Sequence, residues 1–454
     1  MLTYQDFQLV GENETERMAF VRQAIDEHKA TELYKTAKIA EEYDRHRNTT
    51  ILQYQKILYD VMGRAVEDIW TANYKLASRF FNRFVTQENQ YLLGNGVTWT
   101  NDATAEKLGD DFDTKLQEAG RKALVGGVSF GFFNMDHMDV FGVTEFVPLY
   151  DENNGAMMAG IRFWQVSSDK PLRATLYEVD GYTDYIWNQK KVEGSSFIYE
   201  SGTLHEKRPY IEKIRVSEAD GEEIYGGENY PSFPIVPLWG NPYKQSEIVG
   251  LREQIDCYDL IKSGYANTVD EASIIYWTLQ NAGGMDDIDL AQFVEKMKKL
   301  HAAQTDDGVS AVPNTMDAPY ASREALLSTL RADLYEDAMA LDTKNIVGGA
   351  TTATQIKAAY EPLNTKADQY EYCVIEFINN ILEIAGIEDT PSFTRSQIVN
   401  NHEELQLVIQ AAQFLEQEYV VKKILTLLGD GDMFDEVMEK ITANEISQMG
   451  SIDE

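Results

Sequence analysis

The sequence has few cysteines and no long apolar segment. Among its 454 residues there are two cysteines, Cys257 and Cys373, which lie far apart and show no zinc-ligand spacing. Each is flanked by apolar or aromatic residues on a helical pattern, which indicates buried free thiols rather than a disulfide. No apolar run approaches the roughly 18 residues of a transmembrane helix, so the sequence predicts no contact with a membrane.

Basic residues are also scarce. The chain carries 40 lysines and arginines against 75 aspartates and glutamates, which gives a formal net charge of −35 at pH 7. A surface this acidic repels a phosphate backbone, so the composition argues against a protein that clamps nucleic acid, although DNA could pass without adhering. Because the N-terminus lacks the basic and apolar segments of a secretion signal, we expect a soluble, cytosolic product.

Catalytic and cofactor motifs are missing too. A phosphate-binding loop needs a lysine after its glycines, whereas Gly348-Gly349 is followed by alanine and threonines. Asp286, Asp287 and Asp289 could hold a metal ion as a nuclease cluster, but they stand where a helix favours acids at its N-terminus. The sequence therefore predicts no enzyme, no catalytic residue, no cofactor and no resident metal, with a metal-dependent nuclease as the alternative.

The chain does contain alternating signals for helices and β-hairpins. Apolar residues at helical spacing predict a helix from Thr50 and another over Asn73–Gln90. Between Val143 and Tyr225 the period changes to two, and three hairpin turns are expected at Asn154-Gly155, Asp180-Gly181 and Asp220-Gly221. The fold class predicted from these patterns is α+β, mainly helical.

Two long helices are expected to flank a small insert. Ser246 predicts the start of the first, which reaches about Ala272, and the second spans Ser322–Met339. The block between them holds two β-rich runs around a short helix. After the polar loop that follows, a T-x-x-Q capping box begins a helix that contains Pro362, which we expect to kink it. By itself the loop could be a plain connector or a functional segment.

This order of elements resembles the portal proteins of tailed double-stranded DNA bacteriophages, of the siphophage type similar to that of phage SPP1. The stretches that carry the resemblance are Tyr91–Val97 (YLLGNGV), the connector Phe233–Pro242 with the helix entry Ser246–Asp259, and Thr354–Leu363 (TQIKAAYEPL). The match covers roughly residues 50–440. No one stretch is diagnostic alone, and the resemblance rests on their combination and order.

The resemblance implies a ring around a central channel, dodecameric in the virion, at one capsid vertex. Its regions would be a wing at 1–243, a first stem helix at 244–272, a clip at 273–318, a second stem helix at 319–341, a tunnel loop at 342–355, a kinked helix and wing return at 356–395, and a crown at 396–454. The implied partners are double-stranded DNA, the terminase large subunit, a head–tail adaptor protein, the major capsid protein and the scaffold. The ring would be assembled in the host cytoplasm and would serve genome packaging, retention and ejection.

The same resemblance gives candidate site residues. The residues expected to face DNA in the tunnel loop are Asp342, Thr343, Lys344, Asn345, Ile346, Val347, Gly348, Gly349, Thr351 and Thr352. We expect transient, sequence-independent phosphate contacts from Lys344 and the loop amides. In the first stem helix Glu253, Asp256 and Lys262 are candidates for lining the channel, whose acidic wall would disfavour adsorption of DNA. Besides the nuclease, another minor head protein is an alternative.

Overall fold

The chain forms two compact units, each assembled from separate stretches of sequence. The computed structural model describes residues 2–11, 13–59, 62–69, 71–101, 103–191, 197–204, 207–216, 223–272, 276–280, 286, 288–289, 292–293, 295, 310–314, 320–345, 353–396, 405, 408–428, 433–434, 437–438 and 440–441. The first unit comprises Met1–His28, Val85–Gln245 and Met339–Glu454. The second comprises Lys29–Phe84 and Ser246–Ala338.

Helices occur in both units. In chain order they are α1 (Tyr4–Val10), α2 (Glu14–Ala30), α3 (Glu32–Asp44), α4 (Thr49–Gln53), α5 (Phe80–Leu93), α6 (Ala103–Leu108), α7 (Phe112–Gly126), α8 (Arg252–Ala272), α9 (Tyr320–Asp337), α10 (Ala353–Ala385) and α11 (Gln417–Leu428). Of these, α3, α4, α8 and α9 belong to the second unit, and α5 begins there and ends in the first. The described part of the chain contains no helix long and apolar enough to span a membrane.

The strands are β1 (Ile57–Tyr59), β2 (Ala65–Glu67), β3 (Val97–Thr98), β4 (Val128–Asn134), β5 (His137–Gly142), β6 (Phe146–Tyr150), β7 (Met157–Trp164), β8 (Leu172–Glu178), β9 (Gly181–Lys191), β10 (Phe197–Leu204), β11 (Ile211–Val216), β12 (Glu223–Glu228), β13 (Ile235–Trp239), β14 (Tyr276–Gln280), β15 (Ser310–Asn314) and β16 (Ser392–Phe393). A five-stranded sheet has the order β10-β9-β8-β7-β6, and a three-stranded sheet has the order β13-β4-β5. The other pairs are β1-β2, β11-β12, β14-β15 and β16-β3. The fold is thus mixed α and β, as the sequence predicts.

Phenylalanine rings pack the two larger sheets of the first unit together. The rings of Phe130 in β4 and Phe146 in β6 have centroids 4.4 Å apart, and the ring of Phe141 in β5 stacks on Phe146 at 5.9 Å. Gly160 in β7 makes room for this cluster, since a Cβ there would lie 2.1 Å from Phe146. Helices α7 and α10 also contact the three-stranded sheet, so the apolar sheet residues are buried.

The hairpin predictions are confirmed where the structure describes them. Strands β6 and β7 pair antiparallel around Asn154-Gly155, and β8 and β9 pair around Asp180-Gly181. Both turn glycines have positive φ, 69° and 135°, a conformation that costs glycine least. The turn at Asp220-Gly221 lies outside the described residues, although the strands on either side of it, β11 and β12, do pair.

The second unit is built on the antiparallel pair α8 and α9. The side-chain amide of Gln254 donates to Asp337, and toward the other end Nη1 of Arg323 donates to Oγ1 of Thr268 at 2.7 Å. The strands β14 and β15, which lie between these two helices in the sequence, pair antiparallel. Two long helices therefore flank an insert whose ends form a strand pair, in the order that the sequence predicts.

Several helix boundaries differ from the predictions. The helix expected from Thr50 ends at Gln53, and the helix expected over Asn73–Gln90 begins only at Phe80. The first long helix begins at Arg252 rather than at Ser246. Residues 246–251 form turns instead, because Gly250 has a φ of 87°, which a right-handed helix does not accommodate.

The prediction of two buried thiols is wrong in part. Both cysteines are free, as expected, but Cys257 is exposed and Cys373 is only half-buried. Buried positions recur every four residues from the end of the preceding turn into α8, at Leu251, Ile255, Asp259 and Ser263. Cys257 lies two residues from the nearest of these positions and so projects from a different face of the helix. A helical apolar pattern alone did not say which face packs.

Candidate functional site

The predicted loop begins with a short turn that the structure describes. Residues Thr343–Asn345 form one 3-10 turn, and the Lys344 amide donates to Oδ1 of Asp342 at 3.2 Å. The side chains of Thr343 and Lys344 are exposed. Ile346, Val347, Gly348, Gly349, Thr351 and Thr352 lie outside the described residues. The structure therefore supplies the first part of the loop and the two ends between which it runs.

The first end of the loop is fixed by a glutamine on α5. After α9 ends, Met339 takes a left-handed conformation with a φ of 51° and the chain leaves the helix direction. Two residues later, Leu341 is 6% exposed. Its amide donates to Oε1 of Gln87 at 3.0 Å, and its carbonyl accepts from Nε2 of Gln87 at 3.2 Å. One side-chain amide thus satisfies both backbone groups of a buried residue.

The second end of the loop is fixed one helical turn further along α5. There the ring of Tyr91 stacks on Tyr360 of α10, with centroids 5.7 Å apart and an interplanar angle of 22°. The Tyr91 hydroxyl donates to Oδ1 of Asn364. Leu341, Leu363 and Ala367 complete one buried cluster with these two tyrosines. Both ends of the loop therefore converge on a single patch of α5.

A buried polar network continues this patch along α10. Nζ of Lys366 lies 2.7 Å from Oε2 of Glu88, and these side chains are 14% and 3% exposed. The Tyr370 hydroxyl donates to Oδ1 of Asn89 at 3.1 Å, and burial raises the pKa of Tyr370 well above its usual value. A buried ion pair is costly to break from one side, because the remaining charge is left without a partner. The network should therefore hold α10 rigidly against α5.

These anchoring residues were not predicted from the sequence. Gln87, Glu88, Asn89 and Tyr91 lie in the stretch QENQY, which resembles an ordinary polar helix end. One signal was present, because four polar residues in succession cannot all point to solvent from one helix. Pro362 lies inside α10, as expected, and the kink that it should cause stays a prediction.

The three candidates in the first long helix differ in their surroundings. Glu253 is exposed. The Asp256 carboxylate accepts from the hydroxyl of Thr50 at 2.7 Å and from the hydroxyl of Tyr43, and so is engaged inside the second unit. The Lys262 ammonium lies 5.8 Å from the centroid of the Tyr258 ring. Of the two acids, Glu253 is thus the one that the second unit leaves open to solvent.

A further acid of this helix is used for internal packing. Oδ1 of Asp259 accepts from the backbone amide of Ser78 at 2.9 Å, and its Oδ2 accepts from the side chain of Asn48. Asp259 is fully buried, and burial raises the pKa of its carboxyl. Not every acid of the helix can therefore contribute negative charge to its surface.

Two acids of the cluster proposed for the nuclease alternative, Asp286 and Asp289, accept hydrogen bonds from nearby backbone amides. Oδ1 of Asp286 accepts from the amides of Ile288 and Asp289, both at 2.9 Å. Oδ2 of Asp289 accepts in turn from the Asp286 amide at 3.3 Å. Asp287 lies outside the described residues. Within the described ranges, no group of three or more histidine, cysteine, aspartate or glutamate side chains has the geometry of a metal site.

Two long helices that flank a strand pair, followed by an anchored loop and a proline-bearing helix, are the features on which the resemblance to phage portal proteins rests. A family model described as "Phage portal protein, SPP1 Gp6-like" matches residues 23–448. The chain belongs to this family, whose members are structural components of the virion.

Two individual proteins with similar sequences are also named portal proteins. The chain is 24% identical over 423 residues to the portal protein of Bacillus phage SPP1. This alignment covers 86% of this chain and 79% of that protein. It is 22% identical over 428 residues to the portal protein of Clostridium phage phiCD119, and this alignment covers 84% of this chain and 90% of that protein.

Solved structures that match much of the chain, at low TM-scores, include chains of gene transfer agent (GTA) particles. The neck of a native particle computed with C12 symmetry has a TM-score of 0.42 at 11% identity and covers 76% of this chain and 89% of that chain. The neck of an empty particle computed with C6 symmetry has a TM-score of 0.46 at 10% identity, and the match covers 77% of this chain and 90% of that chain.

Proposed function

We propose that this portal protein assembles as a dodecameric ring at one capsid vertex, and that its loop at 342–355 is the DNA-facing constriction of the channel. The observation that carries the loop assignment is the anchoring of both loop ends on α5, through Leu341 and Tyr360. Such anchoring fixes the positions of Leu341 and Tyr360, between which this polar stretch of the sequence runs. The family supplies the structural role, and the loop supplies the contact with DNA.

The loop is suited to brief contacts with a passing duplex. Lys344 is exposed and belongs to a segment whose other described charged residue is Asp342. One cation per subunit attracts phosphate without sequence preference, and a net charge of −35 on the whole chain opposes stable adsorption. The DNA duplex would therefore contact the loop only transiently as it passes through the channel. The energy for translocation would come from the terminase large subunit.

The remaining partners follow from the same proposal. The ring would contact the terminase large subunit through the clip during packaging, and its other partners would be the head–tail adaptor protein, the major capsid protein and the scaffold. Assembly would take place in the host cytoplasm, before the ring becomes part of the virion. The regional boundaries that we propose are those given with the resemblance, from the wing at 1–243 to the crown at 396–454.

Electron microscopy of the purified protein and a packaging assay test this function. We expect rings with a central pore, and we expect Lys344→Ala and Gly348→Pro each to slow packaging or ejection severalfold. The matched control is Lys107→Ala, an exposed lysine in α6, which should behave like wild type. Loop variants that package and eject like wild type would contradict the loop's role. A monomer that cleaves DNA with magnesium would contradict the portal assignment as a whole.

A further inference from the structure

The contact between Gln87 and Leu341 has an unusual form. Most hydrogen bonds of protein side chains go to backbone groups or to water. Here both polar atoms of Gln87 bind the same residue, one as donor and one as acceptor, at 3.2 and 3.0 Å. This is the pairing that a neighbouring β-strand would offer to Leu341. The side chain therefore substitutes for a backbone partner.

Leu341 needs such a partner because of where it lies. Helix α9 has ended at Asp337, so Leu341 receives no helical hydrogen bonds. It is buried against Tyr91, Tyr360 and Leu363. A buried amide and a buried carbonyl without partners each cost free energy, and water cannot replace a partner in a packed cluster. Gln87 thus decides whether this backbone position is stable.

We infer that Gln87 is a positioning residue for the loop, because it fixes the backbone of Leu341 at the loop's first end. Tyr91 lies four residues later on the same face of α5 and fixes the second end through Tyr360. The distance that the loop must bridge is therefore set by one rigid helical turn. Gln87 acts through Leu341 and touches no DNA itself.

Side-chain chemistry makes the inference specific to glutamine. An amide offers one donor and one acceptor at the same end, whereas a carboxylate offers acceptors only. Gln87→Glu keeps the size and the acceptor for the Leu341 amide but places a negative oxygen against the Leu341 carbonyl. Gln87→Met keeps the approximate length and removes both hydrogen bonds. The two variants separate the donor function from simple space filling.

Hydrogen exchange measured by mass spectrometry on the full-length protein tests this inference without DNA. We expect the amides of residues 341–345 to exchange about tenfold faster in Gln87→Glu and Gln87→Met at neutral pH. Gln90→Met is the matched control on the same helix, because its side chain bonds Gln117 rather than the loop. Exchange in strands β7 and β8 shows whether each variant is folded.

A pH series on Gln87→Glu provides a readout that loss of packing would not give. Near pH 4 the introduced carboxyl becomes protonated and regains an O–H donor, so exchange at 341–345, corrected for the intrinsic rate, should return toward the wild-type value. Gln87→Met should show no such recovery. Exchange that is equal in wild type and both Gln87 variants would overturn the inference.

The biological meaning of this positioning rests on the proposed function, and a packaging assay separates the two. Faster exchange together with slower packaging by Gln87→Glu supports both. Faster exchange with wild-type packaging supports the positioning role and contradicts a role of the loop in DNA passage. Unchanged exchange overturns the positioning role whatever the packaging rate is.

Discussion

Residues 146–191 and residues 49–79 differ in how well the sequence predicts their structure. Residues 146–191 form the hairpins of β6 to β9, with strands and turns where the sequence predicts them. Residues 49–79 were predicted to be helical over most of their length, yet beyond α4 the structure gives a small hairpin and an extended segment. In the first region the strands pair with their neighbours along the chain. In the second region, α8, which is distant in the sequence, provides hydrogen-bond acceptors for the backbone amides.

The extended segment is held by a row of side chains on α8. The amides of Tyr74, Leu76 and Ser78 donate to Asn267, Ser263 and Asp259, at 2.7, 2.9 and 2.9 Å. Two extended residues advance the chain about 6.6 Å, and four helical residues advance it about 6.0 Å, so the two spacings nearly coincide. The helix therefore presents an acceptor to every second amide, as a neighbouring strand would.

The largest expected effect comes from breaking this row at Asp259. Asp259→Ala removes a buried acceptor of the Ser78 amide and the partner of Asn48, so we expect the second unit to lose about 3 kcal/mol of stability. Urea unfolding with exchange at residues 74–78 would measure the loss. Asp259→Asn retains one acceptor and should lose less. Stability equal to wild type in Asp259→Ala would show that the segment holds its extended form without α8.

A smaller effect is expected in the hairpin region, where packing rather than a distant acceptor is critical. Gly160→Ala would place a Cβ 2.1 Å from the Phe146 ring, so the ring or the strand must move. We expect a cost of about 2 kcal/mol in urea unfolding of the first unit, with the pairing of β6 and β7 retained. Gly142→Ala in β5 controls for the general effect of adding a methyl group, since a Cβ there would meet its nearest neighbour at 3.7 Å, an ordinary contact distance. Equal costs for both variants would contradict the packing explanation.

The smallest effect is a difference in pH response between two carboxylates that bind backbone amides. Asp389 accepts from Oγ1 of Thr104 at 2.6 Å and from the Thr100 and Asn101 amides, and these hydrogen bonds lower its pKa. Its contribution to stability is present above about pH 4 and is lost as the pH falls through the lowered value. Burial raises the pKa of Asp259, so its contribution is full below about pH 4 and is lost as the pH rises through the raised value.

Hydrogen exchange between about pH 2 and 7, corrected for intrinsic rates, measures this difference, because the lowered pKa of Asp389 lies below its usual value of about 4. On acidification, protection of the Ser78 amide should rise and protection of the Thr100 amide should fall. Asp259→Asn and Asp389→Asn should each abolish the trend at their own site and leave the other site unchanged. Two amides that respond in the same direction would contradict the opposite pKa shifts.

The candidate site, like the two regions, has features that the sequence predicted and features that it did not. The polar loop and its place between two long helices followed from composition and helical periodicity. The residues that fix its ends did not, because Gln87 and Leu341 are 254 positions apart in the chain. Among the acids of the first long helix, sequence could not separate exposed Glu253 from engaged Asp256. Their difference depends on which side of α8 meets α3 and α4.

By itself the sequence determined the elements whose partners are close in the chain. These are the hairpins at Gly155 and Gly181, because turn chemistry acts locally. Apolar periodicity also predicted the two long helices and the polar loop after them, although it did not predict that the helices pair. Only the tertiary structure decided the extended form of residues 73–79 and the anchoring of the loop by Gln87. There the hydrogen-bond partners come from distant positions, and a buried amide adopts the conformation that satisfies it whatever its local propensity.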